Sequence, residues 1–182
     1  LEEIKKIVMK DRVPFDSSKA ESKEGEIRFL SEENSRKEYV LRLQDSLKFK
    51  RPLRIAVDAG GGSTALILSE LLARIPKIHY TPLFFTVDGE FKKHPPNPLD
   101  PKAQAFVKKE LKKGGYDMGV VFDGDGDRVL FFDEKGNRMR SEYALGLFAE
   151  DELKKHPAAS FAMPINTSKG VREAIIEKGG RV

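Results

Sequence analysis

The stretch Arg54-Ile-Ala-Val-Asp-Ala-Gly-Gly-Gly-Ser-Thr-Ala-Leu-Ile-Leu-Ser-Glu-Leu-Leu-Ala-Arg-Ile75 changes its pattern part-way along. Arg54 to Asp58 is a short apolar run ending in an acid, as in a strand buried within a parallel sheet. Thr64 to Ile75 is an apolar helical run. Gly60-Gly-Gly-Ser-Thr turns the chain tightly between the two, with Ser63 or Thr64 expected to cap the helix. Direct anion binding at this helix start stays open as an alternative. Strand, glycine turn and helix form the first half of a βαβ unit.

Working outward, Ile78 to Val87 reads as a second strand and Pro95-Pro-Asn-Pro98 as a fixed loop. Pro101 to Lys113 is an amphipathic helix with proline in its first turn, and Gly114-Gly115 ends it. Met118 to Phe122 is the next buried strand, which completes an α/β order. Upstream, Glu38 to Leu47 has helical spacing. Phe15 to Ser35 reads as a polar linker with a short strand at Ile27 to Leu30, and Leu1 to Lys10 as one more helix. Downstream, Val129 to Asp133, a turn at Glu134-Lys-Gly-Asn137 and Met139 onward suggest a hairpin. A helix at Ser141 to Lys155, a strand at Ala159 to Pro164 and a helix at Ser168 to Lys178 suggest a second α/β unit.

The 182 residues carry a formal net charge of +4, and 34% of them are charged. That balance describes a soluble protein with a mildly basic surface, suited to small anions, with no nucleic-acid partner expected. There is no cysteine, which removes disulfides, thiolate metal sites and a cysteine nucleophile, and fits a reducing cytoplasm. No apolar run approaches the roughly 18 residues that a membrane span needs, so no membrane partner is expected. The sequence opens on Leu1 and closes on Val182 at the approach to a strand, so it is expected to be a fragment.

The strand Met118 to Phe122 runs into Asp123-Gly-Asp-Gly-Asp-Arg128. Asp123, Asp125 and Asp127 alternate with glycine, and each like-charge pair about 4 Å apart costs about 4 kcal/mol at an effective dielectric near 20. The glycines let the three side chains converge on one point, and a hard divalent cation offsets their repulsion. An all-carboxylate set favours Mg2+, Mn2+ or Ca2+ over zinc. The alternative is a solvated acidic turn with its charges pointing apart. The same spacing opens an EF-hand calcium loop, but Arg128 stands where that loop needs glycine, and the flanks are strand-like. Arg128 is placed to hold a phosphate oxygen or, more plainly, to pair with an aspartate. His94, beside Lys92 and Lys93, and Lys169, in Asn166-Thr-Ser-Lys169, are weaker candidates for anion contacts. His79 and His156 read as structural, and the lysine pairs at 108–109, 112–113 and 154–155 as solvated helix faces.

Taken in order, Ile55-Ala-Val-Asp-Ala-Gly-Gly-Gly62, His94-Pro-Pro-Asn-Pro98, Asp123-Gly-Asp-Gly-Asp-Arg128 and Ile165-Asn-Thr-Ser-Lys-Gly170 resemble landmarks of the α-D-phosphohexomutase family. That family comprises the phosphoglucomutases and phosphomannomutases. The resemblance implies a three-layer α/β/α domain with a mostly parallel mixed sheet, plus parts of neighbouring domains. Residues 1–34 would be the tail of a first domain and its linker, 35–136 a second domain, and 137–182 the truncated start of a third. It implies that Asp123, Asp125 and Asp127 bind Mg2+ facing a phosphoserine carried elsewhere, and that Arg128 contacts the phosphate. The activity implied is interconversion of hexose 1- and 6-phosphates through a bisphosphate intermediate, with the remaining domains of the same enzyme as partners. The family's Ser-His-Asn motif has no counterpart here, so the segment alone is expected to be inactive. A different reading remains open: a stand-alone divalent-metal-binding or interaction domain derived from that fold.

Overall fold

Along the central strand, Ile55 and Val57 enter one hydrophobic cluster and Ala56 enters another, so the two faces of one strand each line a core. The computed structural model describes residues 29, 31–93 and 95–182. Among these, helix α1 (Glu32–Ser46) leads into strand β1 (Leu53–Asp58), helix α2 (Thr64–Ala73) and strand β2 (Ile78–Leu83). Helix α3 (Pro101–Leu111), strands β3 (Met118–Phe122) and β4 (Val129–Phe132), and helices α4 (Ser141–Lys155) and α5 (Lys169–Glu177) follow.

The strands lie in the order β2-β1-β3-β4. β1 pairs in parallel with β2 and β3, and β3 pairs antiparallel with β4, with Phe122 opposite Val129. The sheet is therefore mostly parallel and mixed. On one face Val40 of α1 and Leu71 and Leu72 of α2 pack with Ile55, Val57 and Ile78. On the other, Val107 and Leu111 of α3 pack with Ala56, Tyr116, Val121, Leu130 and Phe132. Helices on both faces of one sheet make the three-layer α/β/α fold. A third, separate cluster joins Ala149 and Leu153 of α4 to Val171 and Ile175 of α5.

Several expectations are corrected. α1 begins at Glu32, six residues before the expected Glu38; the turns before Val40 are almost wholly exposed, so no apolar period marks them in the sequence. β2 ends at Leu83 and not at Val87, because Phe84 takes a left-handed backbone (φ 55°) that no strand continues through. The strand expected at Ala159 to Pro164 reduces to one parallel bridge, Ser160 to Arg181. A strand needs a partner along its length, and Pro164 has no N–H to offer one. The expected hairpin of 129–133 with 139 onward reduces to one antiparallel bridge, Phe132 to Arg138, across a turn at 134–137, beside which Met139 N–H donates to the Phe131 carbonyl at 2.8 Å; the strand that β4 pairs along is β3. Asp133 closes that turn, accepting from Lys135 N at 3.0 Å and Asn137 N at 2.7 Å. The expected helix at residues 1–10, most of the short strand at 27–30, and His94 lie outside the described residues.

Candidate metal centre

The acidic stretch is the connection of the β3–β4 hairpin at the carboxyl end of β3, beyond the edge of a parallel sheet where open α/β folds gather their ligands. Asp123, Asp125 and Asp127 each bring one carboxylate oxygen within 4.8 Å of the others. Asp123 is 1% exposed, whereas Asp125 and Asp127 face solvent. Gly126 adopts φ 78°, which turns the loop back on itself between them.

Asp123 anchors the loop. Its Oδ1 accepts from Gly126 N at 3.0 Å and Arg128 N at 3.1 Å, and its Oδ2 accepts from Arg128 Nε at 2.7 Å. Burial works to raise its pKa, but hydrogen bonds from the Arg128 backbone, from Asp127 and from the guanidinium together hold it below the usual carboxylate value. Asp127 moves the other way: its contact with the Asp123 carboxylate, then the charge of Asp125, raise its pKa. The rise at Asp127 reflects like charges crowded into one loop. The donor set fits a hard ion, being all oxygen with no nitrogen or sulfur. Asp123, Asp125 and Asp127 would be the residues that hold such an ion.

Arg128 Nε also donates to Asp127 Oδ1 at 3.3 Å, and Nη1 lies 3.5 Å from Asn97 Oδ1. Its side chain is 56% exposed, and while Nε holds the Asp123 carboxylate, Arg128 also lines an open groove of about 440 Å3. Gly61, Gly62, Ser63, Phe91, Pro96, Asp123 and Asp125 also line that groove. Asn97 and Pro96 bring the proline loop to the acidic loop, a juxtaposition that sequence spacing alone could not reveal.

The glycine turn behaves differently from expectation. Gly60 and Gly61 have φ 65° and 68° and do turn the strand into α2. Ser63 occupies the N-cap position in a helical conformation and makes no side-chain cap bond. The hydroxyls of Ser63 and Thr64 instead donate to carbonyls of the acidic loop. Lys169 pairs with Glu173 at 3.2 Å on an exposed face of α5. His156 lies at the end of α4 with Nε2 3.6 Å from Glu152, one helical turn earlier. Lys108 is more than a solvated charge, since its ammonium lies 5.6 Å over the Phe132 ring.

Residues 37–136 match the family described as phosphoglucomutase/phosphomannomutase, alpha/beta/alpha domain II. A phosphoglucomutase of Neisseria meningitidis is 32% identical over 166 residues, covering 91% of this chain and 35% of that protein. A phosphomannomutase of Salmonella montevideo is 35% identical over 138 residues, covering 71% of this chain and 29% of its own length. The crystal structure of a phosphoglucomutase/phosphomannomutase family protein from Burkholderia thailandensis superposes with a TM-score of 0.75 at 32% identity, over 80% of this chain and 32% of that one. The chain spans about a third of the length of the curated relatives it matches.

Proposed function

We infer the function from one premise: the chain belongs to the phosphoglucomutase/phosphomannomutase family, matching its α/β/α second domain over residues 37–136. We propose that it is part of a phosphohexomutase that moves phosphate between the 1- and 6-positions of a hexose through a phosphoserine and a bisphosphate intermediate. This segment supplies the Mg2+ loop. Residues 35–136 are the second domain of that enzyme, 1–34 the end of the first, and 137–182 the start of the third. The serine nucleophile belongs to another part of the enzyme, so the segment alone is inactive.

The observation that carries the proposal is the convergence of the Asp123, Asp125 and Asp127 oxygens within 4.8 Å beside an anchored arginine. A divalent cation bound there supplies neutralising charge for a transferring phosphoryl group. Asp123 fixes the loop by accepting from the Gly126 and Arg128 backbone, and Arg128 Nε reaches Asp127 Oδ1 at 3.3 Å, which leaves the exposed Asp125 the freest of the three to adjust. Arg128 keeps Nε on the buried Asp123 carboxylate and lines the groove, where its outer N–H groups can donate to a phosphate oxygen.

The test is calorimetric titration of Mg2+ into the chain and into Asp125→Asn. The substitution should weaken binding at least tenfold with the melting temperature unchanged, since Asp125 is exposed. Equal binding by the two proteins would remove the ion from this loop.

A further inference from the structure

The acidic loop does not shape itself. Its Gly124 backbone lies against the start of α2, from a segment some sixty residues earlier in the chain. A Cβ built on Gly62 would sit 2.0 Å from Gly124 O, so the two backbones are already in contact. Thr64, largely buried, donates through Oγ1 to Asp123 O at 3.2 Å and lies 3.4 Å from Gly124 O. Ser63 Oγ adds a contact to Gly124 O at 3.3 Å, and Thr64 N another at 3.5 Å. A Cβ on Gly126 would meet Thr64 Oγ1 at 2.7 Å, so the same hydroxyl also fills the inside of the loop's left-handed turn. On the opposite side the Phe91 ring closes on Gly124, where an added Cβ would be 3.1 Å from Cζ. Phe91 holds that ring in place from a left-handed backbone (φ 49°), a region that residues with a Cβ seldom adopt.

We propose that Thr64 is a positioning residue for the metal site: its buried hydroxyl holds the Asp123–Gly126 backbone in the bent form that makes the three carboxylates converge. The proposal rests on reading the acidic loop as a metal site. Each hydroxyl contact is long, so no single bond dominates. Thr64 matters because one oxygen reaches Asp123 O, Gly124 O and the concave side of Gly126 together. It touches none of the oxygens that would ligate the ion, and so acts through the loop backbone. Partners of this outer kind commonly change metal affinity ten- to a hundredfold, roughly.

The experiment titrates Mn2+ by calorimetry, with Mn2+ electron paramagnetic resonance as a second readout, into the full 182-residue chain and its variants. Thr64→Val keeps the side-chain shape and removes the hydroxyl, and is expected to weaken Mn2+ binding about tenfold. Thr64→Ser keeps the hydroxyl and is expected to bind within about twofold of the parent chain, a rescue that loss of packing alone would not produce. If Thr64→Val does not fold, Thr64→Ala and Thr64→Ser, which differ by one oxygen, make the same comparison. Parent-like binding by Thr64→Val, or binding by Thr64→Ser no tighter than that of Thr64→Val or Thr64→Ala, overturns the positioning role while the metal site stands. If the parent chain binds no Mn2+, the metal site itself falls and the positioning role falls with it.

Discussion

Glycine at position 62 is set by a neighbour and not by its own backbone angle. The 2.0 Å approach to Gly124 O leaves no room for a methyl group, and the obstacle is backbone that cannot swing aside. Gly62→Ala should therefore lower the melting temperature and weaken divalent-ion binding together, as a thermal melt and a titration on the same protein will read. Gly146 is the contrast: it sits inside α4, and a Cβ there meets nothing within 4 Å. Gly146→Ala should raise stability by about 0.5–1 kcal/mol in urea denaturation, because alanine gives up less backbone freedom in a helix. The three aspartates were legible as a convergent group from their spacing with glycine. The roles of Thr64, Phe91 and Asn97 were not, because each meets the loop from a segment distant in sequence, and no local pattern marks such a meeting.

Between elements, Asp117 ties the entry of β3 to β1. Its Oδ2 accepts from Arg54 N at 2.7 Å, its N–H donates to Arg54 O at 2.8 Å, and Arg51 pairs with it at 2.7 Å. The Arg54 backbone N–H first, and then Arg51, hold its carboxyl below the ordinary value of 3.8. A depressed folded pKa means that the stabilisation is complete above the unfolded value and is lost as pH falls through the lower, folded one. Asp117→Asn should thus be less stable than the parent at pH 7, with the gap closing below the ordinary carboxylate pKa, as urea melts across that range will record. Strands and helices with a strong apolar period, such as β1, β3 and α3, could be placed from sequence, as could the glycine pair that ends α3. Ends set by tertiary circumstance could not: β2 stops where Phe84 turns left-handed, and residues 159–164 form no strand where only Arg181 bridges to them.

Across residues 33–182 the two sheet-facing clusters and the small α4–α5 cluster are separate. The sheet clusters join strands to helices, whereas the α4–α5 cluster joins two helices and a few partly buried neighbours. Local opening follows buried apolar contact. In native-state hydrogen exchange, the amides of Val57 and Val121 should therefore outlast those of Leu153 and Ile175. Equal protection throughout would mean that the α4–α5 pair is locked to the sheet more tightly than its own cluster implies. The α/β class and the helix–strand order followed from hydrophobic period, whereas the division of the core into three depends on which faces meet and was not readable. The contact between Gly62 and Gly124 also orders events on the ribosome. The glycine ledge is made early and waits, and the acidic hairpin has its final shape only after residues up to Phe132 emerge and settle beside it. A nascent chain therefore cannot give the acidic loop this geometry until its central sheet is complete.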